Sequence, residues 1–481
     1  RSARKLPFVP SASLLFGGVA ILVITALALR TAPSAMYAVA ALALLALVVV
    51  GVGIAVFATD RRSPRWARLG DTWITSPSPR SSPRWRGQPA CTPRSWGMTL
   101  PIRVRRTIVV IAHLATVLLL VLVGTGPAAA LTPPRIAAGG APSGPVGPTD
   151  KTKQQQQCAT PVLAAGTDLS QVDPTGFAVN YRAAWTYSTG VGQTVAVIDT
   201  GVHPQPRLRK VIGGGDYVGS GDGLTDCDSH GTLVAGLIAA RPSTADSFSG
   251  IAPDATILSI RQNSDSYQVD GSNGDDSDAV SSGYGNTTTL AYAITRAVSL
   301  GATVINISAA ACGTTGSPVD DDLLGRAVRA AYQRNVVVVA AAGNADKDRC
   351  PQNPGVDPNV PRSTEWSRMT TYASPAWFSD YVLSVGNVTA DDEPASTSLT
   401  GPWVSVAAPG ENVVSLSSTG SGLVNRQVIK GAQSSFNGTS FAAAVVSGVV
   451  ALVRAEHPTM SAGEVIELIK RTAHTGGRGA R

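Results

Sequence analysis

Aromatic residues are scarce, 5% of the 481, and charged residues reach only 15%. With 44% hydrophobic residues the chain is too apolar for a disordered protein and too long for one average domain. Five cysteines exclude a disulfide-dense miniprotein and leave room for one or two staples. The five histidines (His113, His203, His230, His457 and His474) form no cluster at metal-ligand spacing. A phosphate-cradling glycine loop and internal repeats are also missing, so no metal or other cofactor is expected. Acidic residues are nearly absent from the first quarter. Residues 1–130 hold two, against 15 Lys and Arg, a net +13, while the remaining 351 hold 30 against 24, a net −6. The overall +7 and the pI near 9.3 therefore do not describe a basic folded surface, and no nucleic acid is expected as a partner.

Long apolar runs, by contrast, are plentiful near the start. Residues 12–29, 35–58 and 107–124 each approach the ~20 residues needed to cross ~30 Å of hydrocarbon. The first two, joined by five residues including Pro33, read as a membrane hairpin. Eleven arginines between Asp60 and Arg106, among them Arg61, Arg62, Arg65, Arg68, Arg103, Arg105 and Arg106, hold that stretch in the cytoplasm. The third run then delivers everything after it to the outer side. It also reads as a secretory signal: Met98 opens a positively charged lead, and Gly126-Pro127-Ala128-Ala129-Ala130 offers a small-residue cleavage site. We expect Met98 to be the native start and residues 1–97 to be the fused tail of a neighbouring membrane protein. The aperiodic Ser/Pro/Arg/Trp stretch 76–96 would mark the join. The expected layout is a transmembrane hairpin over 1–60, a basic cytoplasmic linker over 61–106 and a signal peptide or membrane span over 107–130. An N-terminal extension over 131–190 and a globular domain over 191–481 follow.

Within the extension, 131–152 is a Pro/Gly/Ala-rich linker, and 153–158 (KQQQQC) is a polar tract read as solvated chain. From about Val191, β-branched runs at 194–198, 255–260, 303–307 and 336–341 alternate with helix-like segments at 231–240, 288–300, 319–334 and 441–456. That alternation predicts an α/β fold with a parallel sheet covered on both faces. Residues 265–286, rich in Ser, Gly and Asp, read as an inserted surface loop. Its Asp270, Asp275, Asp276 and Asp278 match no calcium-loop spacing and read as solvated carboxylates.

Three motifs fall where such a sheet exposes its reactive edge. Val195-Ala196-Val197-Ile198-Asp199-Thr200-Gly201 is a strand ending in a carboxylate and a sharp turn. In Asp228-Ser229-His230-Gly231-Thr232 a histidine opens an apolar helix. In Asn437-Gly438-Thr439-Ser440-Phe441 a serine opens another, where free backbone N–H groups face whatever the serine attacks. Hydroxyl attack on an amide needs a base, an acid orienting that base and donors for the oxyanion. Ser440, His230 and Asp199 fill the first three roles. Asn344, after Gly343 at the end of a buried strand, offers an amide for the fourth. The chain order Asp, His, Ser is that of the subtilisin constellation.

On these motifs, from about Pro161 to Ala473, the sequence resembles the subtilases and more closely the mycosins, the membrane-associated subtilases of type VII secretion systems. Asp226-Cys227-Asp228, Arg261-Gln262-Asn263, Val304-Ile305-Asn306-Ile307-Ser308 and Pro409-Gly410 add to the likeness. The resemblance implies a three-layer subtilisin-like fold with a mostly parallel central sheet, preceded here by transmembrane helices. It implies a serine endopeptidase using Asp199, His230 and Ser440, with Asn344 as oxyanion donor. Substrate backbone would lie along Ser308, Ala309 and Ala310, with Ala341, Ala342 and Gly343 on the opposite wall. The implied partners are a protein or peptide substrate, the membrane and a type VII secretion membrane complex. The implied site is the cell membrane, with the catalytic domain extracytoplasmic. A structural subunit stabilising such a complex without proteolysis is the alternative. Cys158, Cys227, Cys312 and Cys350 all lie in the oxidising compartment, where three pairings are open. The resemblance favours Cys158–Cys227 and Cys312–Cys350 and leaves Cys91 over. Two departures stand out. Ala444 occupies the position after the serine where subtilases usually carry proline, so a straighter helix is expected. Mycosins continue into further core elements and a membrane anchor, so Gly476-Gly477-Arg478-Gly479-Ala480-Arg481 reads as a truncated end.

Overall fold

The computed structural model describes residues 131–173, 180–271, 278–357, 359–429 and 432–474. The three apolar runs, the arginine-rich stretch, Cys91, the expected start at Met98 and the last seven residues lie outside them.

Seven strands build the central sheet: β1 (Thr194–Asp199), β2 (Val211–Asp216), β3 (Thr256–Arg261), β4 (Val304–Ile307), β5 (Val337–Ala341), β6 (Val382–Val388) and β7 (Val406–Pro409). Their order is β2-β3-β1-β4-β5-β6-β7, and every neighbouring pair is parallel. Five helices cover it: α1 (His230–Ala239), α2 (Thr287–Ser299), α3 (Asp322–Gln333), α4 (Thr439–Glu456) and α5 (Ala462–Thr472). Side chains alternate across the sheet with period two. Val195, Val197, Val304, Val337 and Val339 pack with α1, α4 and α5. Ala196, Ile198, Ile305, Ile307 and Val338 pack with α2 and α3. Because helices cover both faces, most sheet residues are apolar, and β1, β3, β4 and β5 read as largely apolar runs in the sequence. The three-layer subtilisin-like architecture follows.

Among the described residues α4 is the one helix long and apolar enough to cross a membrane, but it is mostly buried against β4, β5, β6 and β7. It is a core helix, and it runs without a break through Ala444.

Two expectations need correction. The polar tract is exposed, as expected, yet it is not free chain. Thr152–Gln154 pairs antiparallel with Tyr267–Val269, and the Gln155 and Gln156 N–H groups donate to Ser266 O. By the same pairing, part of the 265–286 insertion is a strand rather than a loop. Its described carboxylates are engaged: Asp270 pairs with Lys151 at 3.0 Å, and Asp278 accepts from Asp320 N–H at 3.1 Å. Pro161–Val162 adds to a second small sheet with Arg426–Ile429 and Ala432–Ser435.

The bonds Cys158–Cys227 and Cys312–Cys350 both form, with Cα separations of 4.5 and 5.4 Å. The first fastens the extension to the turn before α1. Opening a loop of this size by Cys158→Ser with Cys227→Ser is expected to cost roughly 2–4 kcal/mol in denaturant unfolding. A loss under ~0.5 kcal/mol would show that the small strands hold the extension unaided.

Candidate active site

Asp199 is the last residue of β1, so the buried strand delivers its carboxylate to the carboxyl edge of the sheet. It is 2% exposed. His230 is the first residue of α1, and its side chain is 30% exposed. The two meet through His230 Nδ1 and Asp199 Oδ1 at 2.7 Å. A carboxylate accepts, so the proton sits on Nδ1, leaving Nε2 as the imidazole's free base. The same Oδ1 accepts Thr200 N–H at 2.7 Å. This approach depends on Gly231: a Cβ there would sit 2.0 Å from Gly201 O and 3.2 Å from Asp199 Cβ.

The turn into α1 is irregular. Ser229 is left-handed at φ 67° and its side chain does not cap the helix. Asp226 caps it instead, accepting Thr232 N–H at 2.8 Å and Thr232 Oγ at 2.6 Å on one oxygen and Thr200 Oγ at 2.8 Å on the other. Burial pushes the Asp226 pKa up to about 6 against the pull of those donors. For His230, burial works downward but loses to the charge and hydrogen bond of Asp199 and the charges of Asp226 and Asp265. Together they hold its pKa at about 9.

Ser440 is the second residue of α4 and 5% exposed. The ring of the next residue, Phe441, lies 5.2 Å from the His230 ring, which brings the two helix starts together. Ser440 Oγ donates to Ser308 O at 2.9 Å. Beneath it runs a polar thread through the core: Ser447 Oγ to Asn306 Oδ1 (2.9 Å), Asn306 Nδ2 to Ser308 Oγ (2.8 Å) and Ser308 Oγ to Ser440 O (3.3 Å). Sequence reasoning gave Asn306 and Ser447 no role. Their signal was one amide inside an apolar strand and one hydroxyl inside an apolar helix. Gly410 lets the loop after β7 close on α4, since a Cβ there would lie 2.5 Å from Gly438 O and 3.0 Å from Ala442 N.

Asn344 follows β5 and Gly343. Its Oδ1 accepts the Thr439 N–H and hydroxyl, each at 3.0 Å. The backbone N–H can only donate, so the amide orientation is fixed and Nδ2 remains available as a donor beside the start of α4. Ser308 is nearly buried, Ala309 and Ala310 are half-buried, and all three lie beyond β4 outside regular strand. Ala341, Ala342 and Gly343 are buried. Ala342 N–H donates to Val385 O, and Gly343 O accepts Leu399 N–H, so this wall is fixed from behind. Asp199, His230, Ser440, Asn344 and the Ser308 stretch thus share one edge of the sheet. No group of side chains suited to a metal ion occurs among the described residues.

Residues 190–481 match the subtilase family (peptidase S8). Mycosin-3 of Mycobacterium tuberculosis is 44% identical over 366 residues, covering 74% of this chain and 78% of its own. Mycosin-4 of the same organism is 44% identical over 355 residues, covering 73% and 75%. Among solved structures, the MycP3 protease from the type VII (ESX-3) secretion system superposes with a TM-score of 0.67 at 44% identity, covering 72% of this chain and 94% of that one. A chain of an intact ESX-5 inner membrane complex superposes with a TM-score of 0.67 at 42% identity, covering 73% and 84%. The fold, the edge that carries the serine, histidine and aspartate, and these likenesses agree: the chain belongs to the subtilase family of serine proteases and, within it, to the mycosins.

Proposed function

We propose that the protein is a serine endopeptidase that hydrolyses peptide bonds through an acyl-enzyme, using Ser440 as nucleophile, His230 as base and Asp199 as its orienting acid. The observation that carries this reading is the 2.7 Å contact between Asp199 and His230 at the edge where α4 presents Ser440. Asp199 fixes the Nδ1–H tautomer and steadies the imidazolium. Substrate backbone entering along Ser308–Ala310 brings an N–H that competes for Ser308 O. That competition frees Ser440 Oγ to turn toward His230 Nε2. Proton transfer to Nε2 accompanies attack on the scissile carbonyl. The oxyanion takes the Ser440 N–H, which no intrahelical carbonyl can reach, and Asn344 Nδ2. His230 then protonates the leaving amine, and water enters by the reverse path to release the acid.

The two disulfides fit an oxidising compartment, and the likeness to chains solved within ESX-5 membrane assemblies supports work on the extracytoplasmic side of a type VII secretion membrane complex.

Fluorophosphonate should label Ser440, and Ser440→Ala should lose the label; an unlabelled native protein would sink the peptidase reading. Secretion that survives Ser440→Ala but not deletion of the chain would assign that phenotype to a structural role. Asn344→Ala is expected to lower kcat by about 10²–10³ with KM little changed, the magnitude belonging to the corresponding donor in subtilisin itself. A fall in kcat/KM carried by KM alone would remove Asn344 from the oxyanion site. With the His230 pKa raised to about 9, the neutral base is the minor form below that pH. The labelling rate should therefore climb about tenfold per unit between pH 6 and 8 and level off above 9. A plateau reached by pH 7 contradicts it.

A further inference from the structure

We propose that Asp226 is a positioning residue for the reaction, a second carboxylate that holds His230 over Asp199 and sets the pH at which the imidazole becomes available as a base. The inference rests on the peptidase reading of Ser440, His230 and Asp199.

The geometry gives Asp226 a place in three contacts at once. Through Thr232 N–H it occupies the cap that Ser229 leaves empty, so the first turn of α1, which begins at His230, is tied to the Asp226 carboxylate. Through Thr200 it reaches the end of β1. Thr200 Oγ donates to Asp226, the same oxygen accepts Gly231 N–H at 2.9 Å, and Thr200 N–H donates to Asp199. One threonine therefore touches both carboxylates and the backbone next to the histidine. Through Cys227, the following residue, the turn is pinned to the extension. Losing any of these bonds would let the start of α1 shift relative to β1, and the 2.7 Å contact spans that gap.

The electrostatics act in the same place. Among the described residues the charges acting on His230 come from Asp199, Asp226 and Asp265, with Asp228 beyond, which is held by Ser264 and Ser266. All are acidic. Asp226 sits at the helix start, where the first N–H groups and the dipole favour its ionised form, while burial opposes it. Above about pH 6 it is an anion, and it then favours the imidazolium. Removing its charge without removing its bonds should release the base at lower pH. An asparagine can keep the Thr232 N–H bond through its oxygen and meet Thr200 Oγ with its amide, so it separates charge from position.

The test is the pH dependence of fluorophosphonate labelling in the full chain carrying Asp226→Asn, Asp226→Ala or Thr200→Val. Asp226→Asn is expected to move the midpoint down by roughly 0.5–1 unit while keeping the high-pH plateau within a few-fold of native. Asp226→Ala should move it likewise and lower the plateau at least about tenfold, because the cap is gone as well. Thr200→Val keeps both carboxylates but cuts the link between them. It should lower the plateau too, with Thr200→Ser restoring it, and it serves if Asp226→Asn does not fold. A native midpoint in Asp226→Asn, whatever its plateau, overturns the proposal, and so does a native plateau in Asp226→Ala or Thr200→Val. Failure of the native chain to label would instead overturn the peptidase reading on which the inference stands.

Discussion

A parallel sheet sealed on both faces leaves one region for chemistry, and the rest of this molecule is arranged around that constraint. Every strand runs the same way, so their carboxyl ends share one edge. Asp199 ends β1, Ser308 follows β4, Asn344 comes soon after β5 and Gly410 follows β7. The helices α1 and α4 begin at that same edge, and their first N–H groups face it. The edge therefore concentrates donors that no intrahelical carbonyl reaches and the positive ends of two helix dipoles, where carboxylates are held. Asp226 takes one of those helix N–H groups, that of Thr232, while Asp199 accepts Thr200 N–H and the His230 ring. In the proposed mechanism a tetrahedral oxyanion would use the donors at the start of α4 for the lifetime of an intermediate.

That concentration has an electrostatic consequence for the histidine. Carboxylates that would stabilise an imidazolium in the proposed reaction also stabilise it at rest. Each unit by which they raise the His230 pKa stabilises the protonated form by about 1.4 kcal/mol and removes about nine-tenths of the neutral base at a pH below that pKa. In the proposed mechanism an acidic surround would thus trade resting availability of the base for stability of the charged intermediate. The exposure of one side of His230 lets solvent moderate the field, while Asp199 is sealed and cannot be screened.

How far the sequence revealed this follows from how locally each feature is encoded. Asp199, His230 and Ser440 stand in short motifs that carry their own structural context, a strand end or a helix start with glycine nearby, and the structure brings all three to one edge. β1, β3, β4 and β5 were legible as largely apolar runs. β2 was not, because Val211-Ile212-Gly213-Gly214-Gly215-Asp216 has two apolar side chains and three glycines. β6 is broken by Ser384, Gly386 and Asn387, buried positions whose polarity or small size looks like loop. The helix α5 carries a visible start, Ser461 with Glu464 three residues on, before an apolar stripe of Val465, Ile466 and Ile469, yet it did not enter the sequence reading. The pairing of Thr152–Gln154 with Tyr267–Val269 had no signal, since a three-residue strand is too short to show alternation and its partner lies more than 100 residues away.

The parts that look peripheral converge on the same turn. The extension reaches it covalently through Cys158–Cys227, and the start of the insertion reaches it through Ser266 and the preceding Ser264, whose hydroxyls donate to Asp228. The extension and insertion then pair with each other. Two separate tethers therefore hold residues 226–230, and the pairing of the tethering segments braces them; this stretch has a backbone that includes a left-handed serine and lacks an ordinary helix cap. A turn with so little regular structure of its own needs external restraint to hold an imidazole within hydrogen-bonding distance of a buried carboxylate. The extension is in this sense part of the site: through Cys227 and the strand pairing it restrains the turn that carries His230.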